Sequence, residues 1–90
     1  MTAIAHDPAS QRFTTEADGE TAYLEYERAG DVMVITHTVV PPAIGGRGIA
    51  GDLVRSAVEH AKTAGLKVDP RCSYADGWMR KHSEYDALRA

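Results

Sequence analysis

The chain has 90 residues, a formal net charge of −3 and a single cysteine, Cys72, which bounds it to one small domain and excludes both an internal disulfide and a thiolate metal cage. Hydrophobic residues make up 43% and charged residues 26%, the balance of a soluble globular protein; no apolar run approaches the ~20 residues of a membrane span. The acidic balance speaks against nucleic acid, which demands a basic face, and the histidines show no metal-ligand spacing. The opening "MTAIAHDPASQRF" has neither a basic start nor an apolar stretch of secretory type, so a cytoplasmic location is expected. A domain this small buries only about 60–65% of its unfolded surface. Its stability margin is thin, and it is expected as a monomer or weak homodimer, with no membrane partner.

Residues 1–10 are polar and broken by Pro8, and they read as a mobile tail ahead of a single domain over 11–90. "QRFTTE" is a short strand candidate anchored by Phe13, and "ADGE" carries an Asp-Gly turn signal. "TAYLEYER" alternates: Ala22, Leu24 and Tyr26 face one way, Tyr23, Glu25 and Glu27 the other. "AGD" makes the next turn. "VMVITHTVV" is apolar and β-branched on both faces, which predicts a central strand covered on both sides. From Gly48 the period changes. Ile49, Leu53, Val54, Ala57, Val58 and Ala61 form one helical stripe, and Gly65 is placed to end the helix in the left-handed conformation. "LKVDPRCSY" reads as a further strand, with Pro70 bending it or marking an edge. The remainder, "ADGWMRKHSEYDALRA", is helical in pieces, with Asp76-Gly77 near the start of the first piece. The order β-β-β-α-β-α defines an α+β domain with a crossover helix after the third strand.

Between that third strand and the helix lies "VVPPAIGGRGIAGDLV", with Gly45, Gly46 and Gly48 crowded just before Ile49. The first turn of a helix has unpaired N–H groups and a partial positive charge. Glycine lets a ligand approach the backbone and permits positive φ. Together they make an anion site suited to a pyrophosphate, to which Arg47 could add a charge-assisted hydrogen bond. The alternative is a flexible connection. No Gly-Lys-Ser/Thr follows, so it is not a Walker A loop, and the spacing is wrong for a dinucleotide fingerprint.

These residues resemble motif A of the GNAT superfamily of acetyl-CoA-dependent N-acetyltransferases, Arg/Gln-x-x-Gly-x-Gly/Ala. Gly48 and Ala50 match its glycine and small positions, and Gly46 and Arg47 fill the variable ones. Gly45 stands where the superfamily usually has Arg or Gln. With "ITHTVVPP", "EHAKTAGLKVDPRCSY" and "KHSEYDAL" in order, the chain is similar to the short YjdJ-like or "N-acetyltransferase domain-containing protein 1" branch over about Thr21 to Leu88. The resemblance implies a minimal GNAT fold: a mostly antiparallel sheet, one main crossover helix and a C-terminal helical tail. It implies acetyl-CoA as co-substrate. Val39 and Val40 would hydrogen-bond the pantetheine, and the amides of Gly45, Gly46, Arg47, Gly48, Ile49 and Ala50 would hold the pyrophosphate. The strand containing Cys72 would splay away to open a slot for the thioester arm. A glutamate is common in this branch where the chain has Val39.

Acetyl transfer to an amine requires proton removal from the amine, donors for the tetrahedral oxyanion and a proton for the leaving thiolate. His37 is the candidate base, against a rim histidine bound to backbone. Cys72 either forms an acetyl-cysteine or lines the cofactor channel. Tyr74 shares a face with Cys72 if the strand continues, and could protonate the thiolate. His82 and Tyr85 could close the pocket, or belong to a solvated helix end. His60 reads as solvated, Trp78 and Met79 as core. Glu25 and Glu27 could attract an amine or simply form a solvated face. No third residue that orients His37 or Cys72 is identifiable. The expected function is acetyl transfer from acetyl-CoA to an amine acceptor, small molecule or protein. The alternatives are an acyl-CoA-binding module with little or no turnover, and a phosphate-binding regulatory module.

Overall fold

A computed structural model describes residues 3–90. Five strands form one sheet in the order β1-β2-β3-β4-β5. They are β1 (Ala5–Asp7), β2 (Arg12–Ala17), β3 (Glu20–Ala29), β4 (Val32–Val39) and β5 (Lys67–Pro70). The first three pairings are antiparallel, and β5 joins β4 in parallel. The long helix α1 (Ile49–Ala64) makes the crossover that a parallel pair requires. The short α2 (Ser73–Lys81) follows β5, and a 3₁₀ segment, Ser83–Leu88, closes the described chain.

The local chemistry accounts for these elements. The β2–β3 hairpin turns at Asp18 and Gly19, with φ of 51° and 76°, the pair of positive values that a two-residue hairpin requires. Gly65 stands at the end of α1 with φ 74°, and the Leu66 amide donates back to the Ala61 carbonyl at 2.8 Å. The α1 stripe of Ile49, Leu53, Val54, Ala57, Val58 and Ala61 is buried against Phe13, Ala22, Leu24, Tyr26, Met33 and Ile35 of the sheet.

Three expectations change. The first is the mobile tail. Met1 and Thr2 lie outside the described residues, but Ala5–Asp7 is an edge strand, with His6 opposite Phe13. The His6 ring stacks on Phe13 at 4.1 Å, its Nε2 lies 2.6 Å from the Tyr26 hydroxyl, and His60 meets it edge-on at 4.4 Å. His60 is therefore a packing residue rather than a solvated one. The second is β4: Met33 and Ile35 are fully buried, while Val32 and Val34 stay partly open. Among the described residues, only one sheet face carries helices against it. The third is the strand "LKVDPRCSY". β5 ends at Pro70; Cys72 is the N-cap of α2, and Tyr74 and the Asp76-Gly77 pair lie inside that helix.

The His6 cluster has a pH signature. Burial, then the neighbouring His60, hold the His6 pKa below its ordinary value, against a smaller opposing pull from Asp7. The unfolded chain therefore takes the proton first as pH falls. Stability is full above the ordinary histidine value of about 6.5 and declines from there toward the lower folded value. Urea unfolding across that window is expected to show this decline and His6→Phe to flatten it; an equal slope in the variant would remove His6 as its source.

Candidate functional site

The connection from β4 to α1 begins as a hydrogen-bonded turn. Pro42–Ile44 form one 3₁₀ turn, closed by the Ile44 amide on the Pro41 carbonyl at 3.0 Å and the Gly45 amide on the Pro42 carbonyl at 3.1 Å. A side chain at Gly45 would bring its Cβ to 3.3 Å from that same Pro42 oxygen. Any side chain at this position would need the Pro42 carbonyl to give by a few tenths of an ångström. Gly46 and Gly48 both have positive φ, 76° and 78°, and nothing lies within 4 Å of a Cβ built on either. Gly48 is the N-cap of α1, and no side chain caps the helix. The amides of Ile49, Ala50 and Gly51 open the helix without intrahelical acceptors, and the space over Gly46 and Gly48 just before them is open. Arg47 turns away from it: its Nη2 donates to Asp18 of the β2–β3 turn at 2.6 Å, in an exposed pair.

Beside this turn the sheet opens. β4 pairs with β5 only from Val32 to Ile35. The Cys72 amide then donates to the Ile35 carbonyl at 3.0 Å, and the chain turns into α2. Residues 36–39 of β4 keep a strand neighbour on the β3 side alone. Val39 is 38% exposed at the strand end, and Val40 packs on the core. β5 does not splay as far as Cys72: it stops at Pro70, which leaves β4 beyond Ile35 without a partner strand on that side.

Cys72 is the N-cap of α2 and Tyr74 lies in its first turn. Cys72 Sγ lies 3.6 Å from the Thr38 hydroxyl. Burial pushes the thiol up, yet the backbone amides of Ala75 and Tyr74 and the contact with Thr38 outweigh it and leave the thiol below its ordinary value. Tyr74 is 44% exposed, and burial together with Asp52 raises its hydroxyl, which keeps the proton at neutral pH. The helices approach closely at Gly51, where a Cβ would stand 3.3 Å from Trp78 Nε1 and 3.4 Å from the Tyr74 hydroxyl. At an open helical site Gly→Ala gains about 1 kcal/mol. Here Gly51→Ala is expected to show no gain in thermal unfolding, because the overpacking cost is of similar or larger size; a full gain would mean that the two helices do not touch there.

His37 sits on the other face. Its register partner is Glu25, and Glu25 in turn pairs with Arg12, so the three side chains form one row across the uncovered side of the sheet. The row borders a cleft of about 420 Å³ whose wall includes Gln11, Glu25, Glu27, Thr36 and His37. Among the described residues no group of His, Cys, Asp and Glu could hold a metal ion. His82 and Tyr85 serve packing. His82 stacks on Trp78 at 3.8 Å, and the Tyr85 hydroxyl donates to Glu59 at 2.5 Å, pinning the last segment to α1.

Residues 12–88 match the family model described as GCN5-related N-acetyl-transferase. The chain belongs to the GCN5-related N-acetyltransferases. It is 33% identical to Protein NATD1 of Gallus gallus over 82 residues, covering 88% of this chain and 74% of that one. The Homo sapiens Protein NATD1 is likewise 33% identical, at 88% and 73% coverage. A GCN5-like protein from Staphylococcus aureus, solved in solution by NMR, superposes with a TM-score of 0.78 at 26% identity, covering 98% of this chain and 87% of that one. The likeness to that structure extends over nearly the whole chain. Among the described residues no helix is long and apolar enough to cross a membrane.

Proposed function

We propose that this GCN5-related protein transfers the acetyl group of acetyl-CoA to an amine. The observation that carries the reading is the open glycine turn at Gly46 and Gly48, leading into the uncapped first turn of α1 beside the stretch where β4 outruns β5. A pyrophosphate fits this amide cradle, because helix-terminal amides supply both donors and positive potential. An extended pantetheine fits the free side of β4 at Val39 and Val40, since strand edges pair with extended chains. The thioester would then lie along the unpaired side of β4, beside the Thr38–Cys72 contact at the start of α2. Tyr74, protonated at neutral pH, can donate to the departing thiolate. Cys72 lines the channel, and His37 receives the amine's proton from the opposite face. The acceptor reaches the thioester directly, in a ternary complex. The lone cysteine fits a reducing, cytoplasmic setting.

Calorimetry with acetyl-CoA, CoA and ATP tests the first half. Binding of both CoA forms and not of ATP is expected, and absence of CoA binding would end the reading. A thiol-release assay over a panel of amines tests the second half. If acetyl-CoA binds and no amine accelerates thiol release, the protein is a binding module instead. Cys72→Ala is expected to retain transfer; its complete loss in a folded variant would favour an acetyl-cysteine route.

A further inference from the structure

We infer that Glu25 and Thr36 are positioning residues that fix His37 in its Nδ1–H tautomer, so that Nε2 is presented as the free base to the cleft on the uncovered sheet face. The inference rests on the acetyl-transfer reading and assigns it a base, a tautomer and an entry side.

It starts from the register. The β3–β4 hairpin pairs Tyr26 with Ile35 but Glu25 with His37, which leaves Thr36 as an extra residue in β4. Such a bulge re-aims the side chains beside it. Here it brings His37 opposite Glu25 and turns the Thr36 hydroxyl onto the Glu25 backbone.

Hydrogen-bond direction then decides the tautomer. The Thr36 hydroxyl donates to the Glu25 carbonyl at 3.3 Å. A hydroxyl that donates to the carbonyl has only lone pairs left for the imidazole. His37 Nδ1 lies 3.2 Å from that oxygen and 3.4 Å from Glu25 Oε1. Both neighbours of Nδ1 are acceptors, so Nδ1 carries the hydrogen. In the neutral ring Nε2 is then left with a lone pair. The carboxylate is itself held: Arg12 donates from Nε at 2.9 Å and Nη2 at 2.6 Å, both to Oε2, which leaves Oε1 for the histidine. Arg12 in turn lies over the Tyr23 ring at 4.4 Å. Four side chains across three strands thus support one imidazole, whose own side chain is 65% exposed. A base that must receive a proton from an incoming amine requires that accessibility. Glu27, on the same cleft wall, adds a negative charge that favours a cationic acceptor.

The tautomer is read by ring ¹⁵N NMR of His37 at a pH well above the imidazole range. The wild-type protein is expected in the Nδ1–H form. Glu25→Gln and Thr36→Val are each expected to move the ring toward Nε2–H, the form that a free histidine side chain prefers. An Nε2–H ring in the wild-type protein, or one indifferent to both substitutions, overturns the inference without touching the acetyl-CoA reading. In turnover, Glu25→Gln is expected to lower kcat by about ten-fold at unchanged KM for acetyl-CoA, part of the ~10²–10⁴-fold that a positioned base supplies. Glu25→Asp is expected to recover some of that loss. Unchanged kcat in Glu25→Gln overturns the positioning role. Absence of turnover with any amine removes the base role together with the acetyl-transfer reading, while the ring measurement still decides the tautomer.

Discussion

Gly48→Val is expected to lower acetyl-CoA affinity by about a hundred-fold or more, since two lost charge-assisted hydrogen bonds at ~1.5–3 kcal/mol each correspond to at least that. Two effects act together. Gly48 has φ 78°, a region that a β-branched residue enters only as an outlier. The new side chain also stands in the space above the first turn of α1, where nothing now lies within 4 Å, and it covers the amides that would meet the pyrophosphate. Gly30→Asn is the control. Gly30 also has positive φ, 59°, but it lies in the β3–β4 turn away from the cradle. Calorimetry is expected to find the control near wild type and Gly48→Val nearly silent. Equal affinity in a folded Gly48→Val protein would take the amide cradle out of the mechanism.

Leu53→Ala carries the largest expected effect on stability. Leu53 is fully buried in the α1 stripe, within the single core. Truncations of this kind cost about 2–5 kcal/mol, because the cavity closes only partly. A 90-residue domain has a total of roughly 5–13 kcal/mol at ~0.05–0.15 kcal/mol per residue. The substitution therefore removes a large share of the fold's margin. Urea unfolding is expected to show a lower midpoint at unchanged slope, and saturating acetyl-CoA to restore part of the loss by mass action. A midpoint within error of wild type would mean that the core tolerates the void.

Much of the domain was legible in local pattern. The alternation in "TAYLEYER", the glycine turns and the α1 stripe each state their element within a few residues. What escaped depends on distant contacts. β1 has no strand signal of its own; it exists because His6 stacks on Phe13 and bonds to Tyr26. Cys72 mimics a strand residue through its amide bond to Ile35, although "S-x-x-D" at Ser73–Asp76 is a helix-start pattern that would have moved the boundary. The partner of His37 was hidden for a geometric reason. Counting back from the Ala29–Val32 end of the hairpin pairs Glu25 with Thr36, and only the bulge makes it His37. A single cross-strand irregularity thus concealed the carboxylate that stands beside His37. The glycine cradle was the reverse case, because every property it needs is local to the backbone.

The outer side of β5 has a consequence for behaviour at high concentration. Val68 forms a parallel bridge with Arg89, and the Ala90 amide donates to the Val68 carbonyl at 2.9 Å. Pro70, at the end of the same strand, has no amide hydrogen to offer a newcomer. At the opposite margin the exposed strand β1 is only three residues long. Neither margin presents the long unpaired ladder on which strands from other molecules add. The protein can therefore leave one sheet face without helices and still not invite edge-to-edge fibril growth.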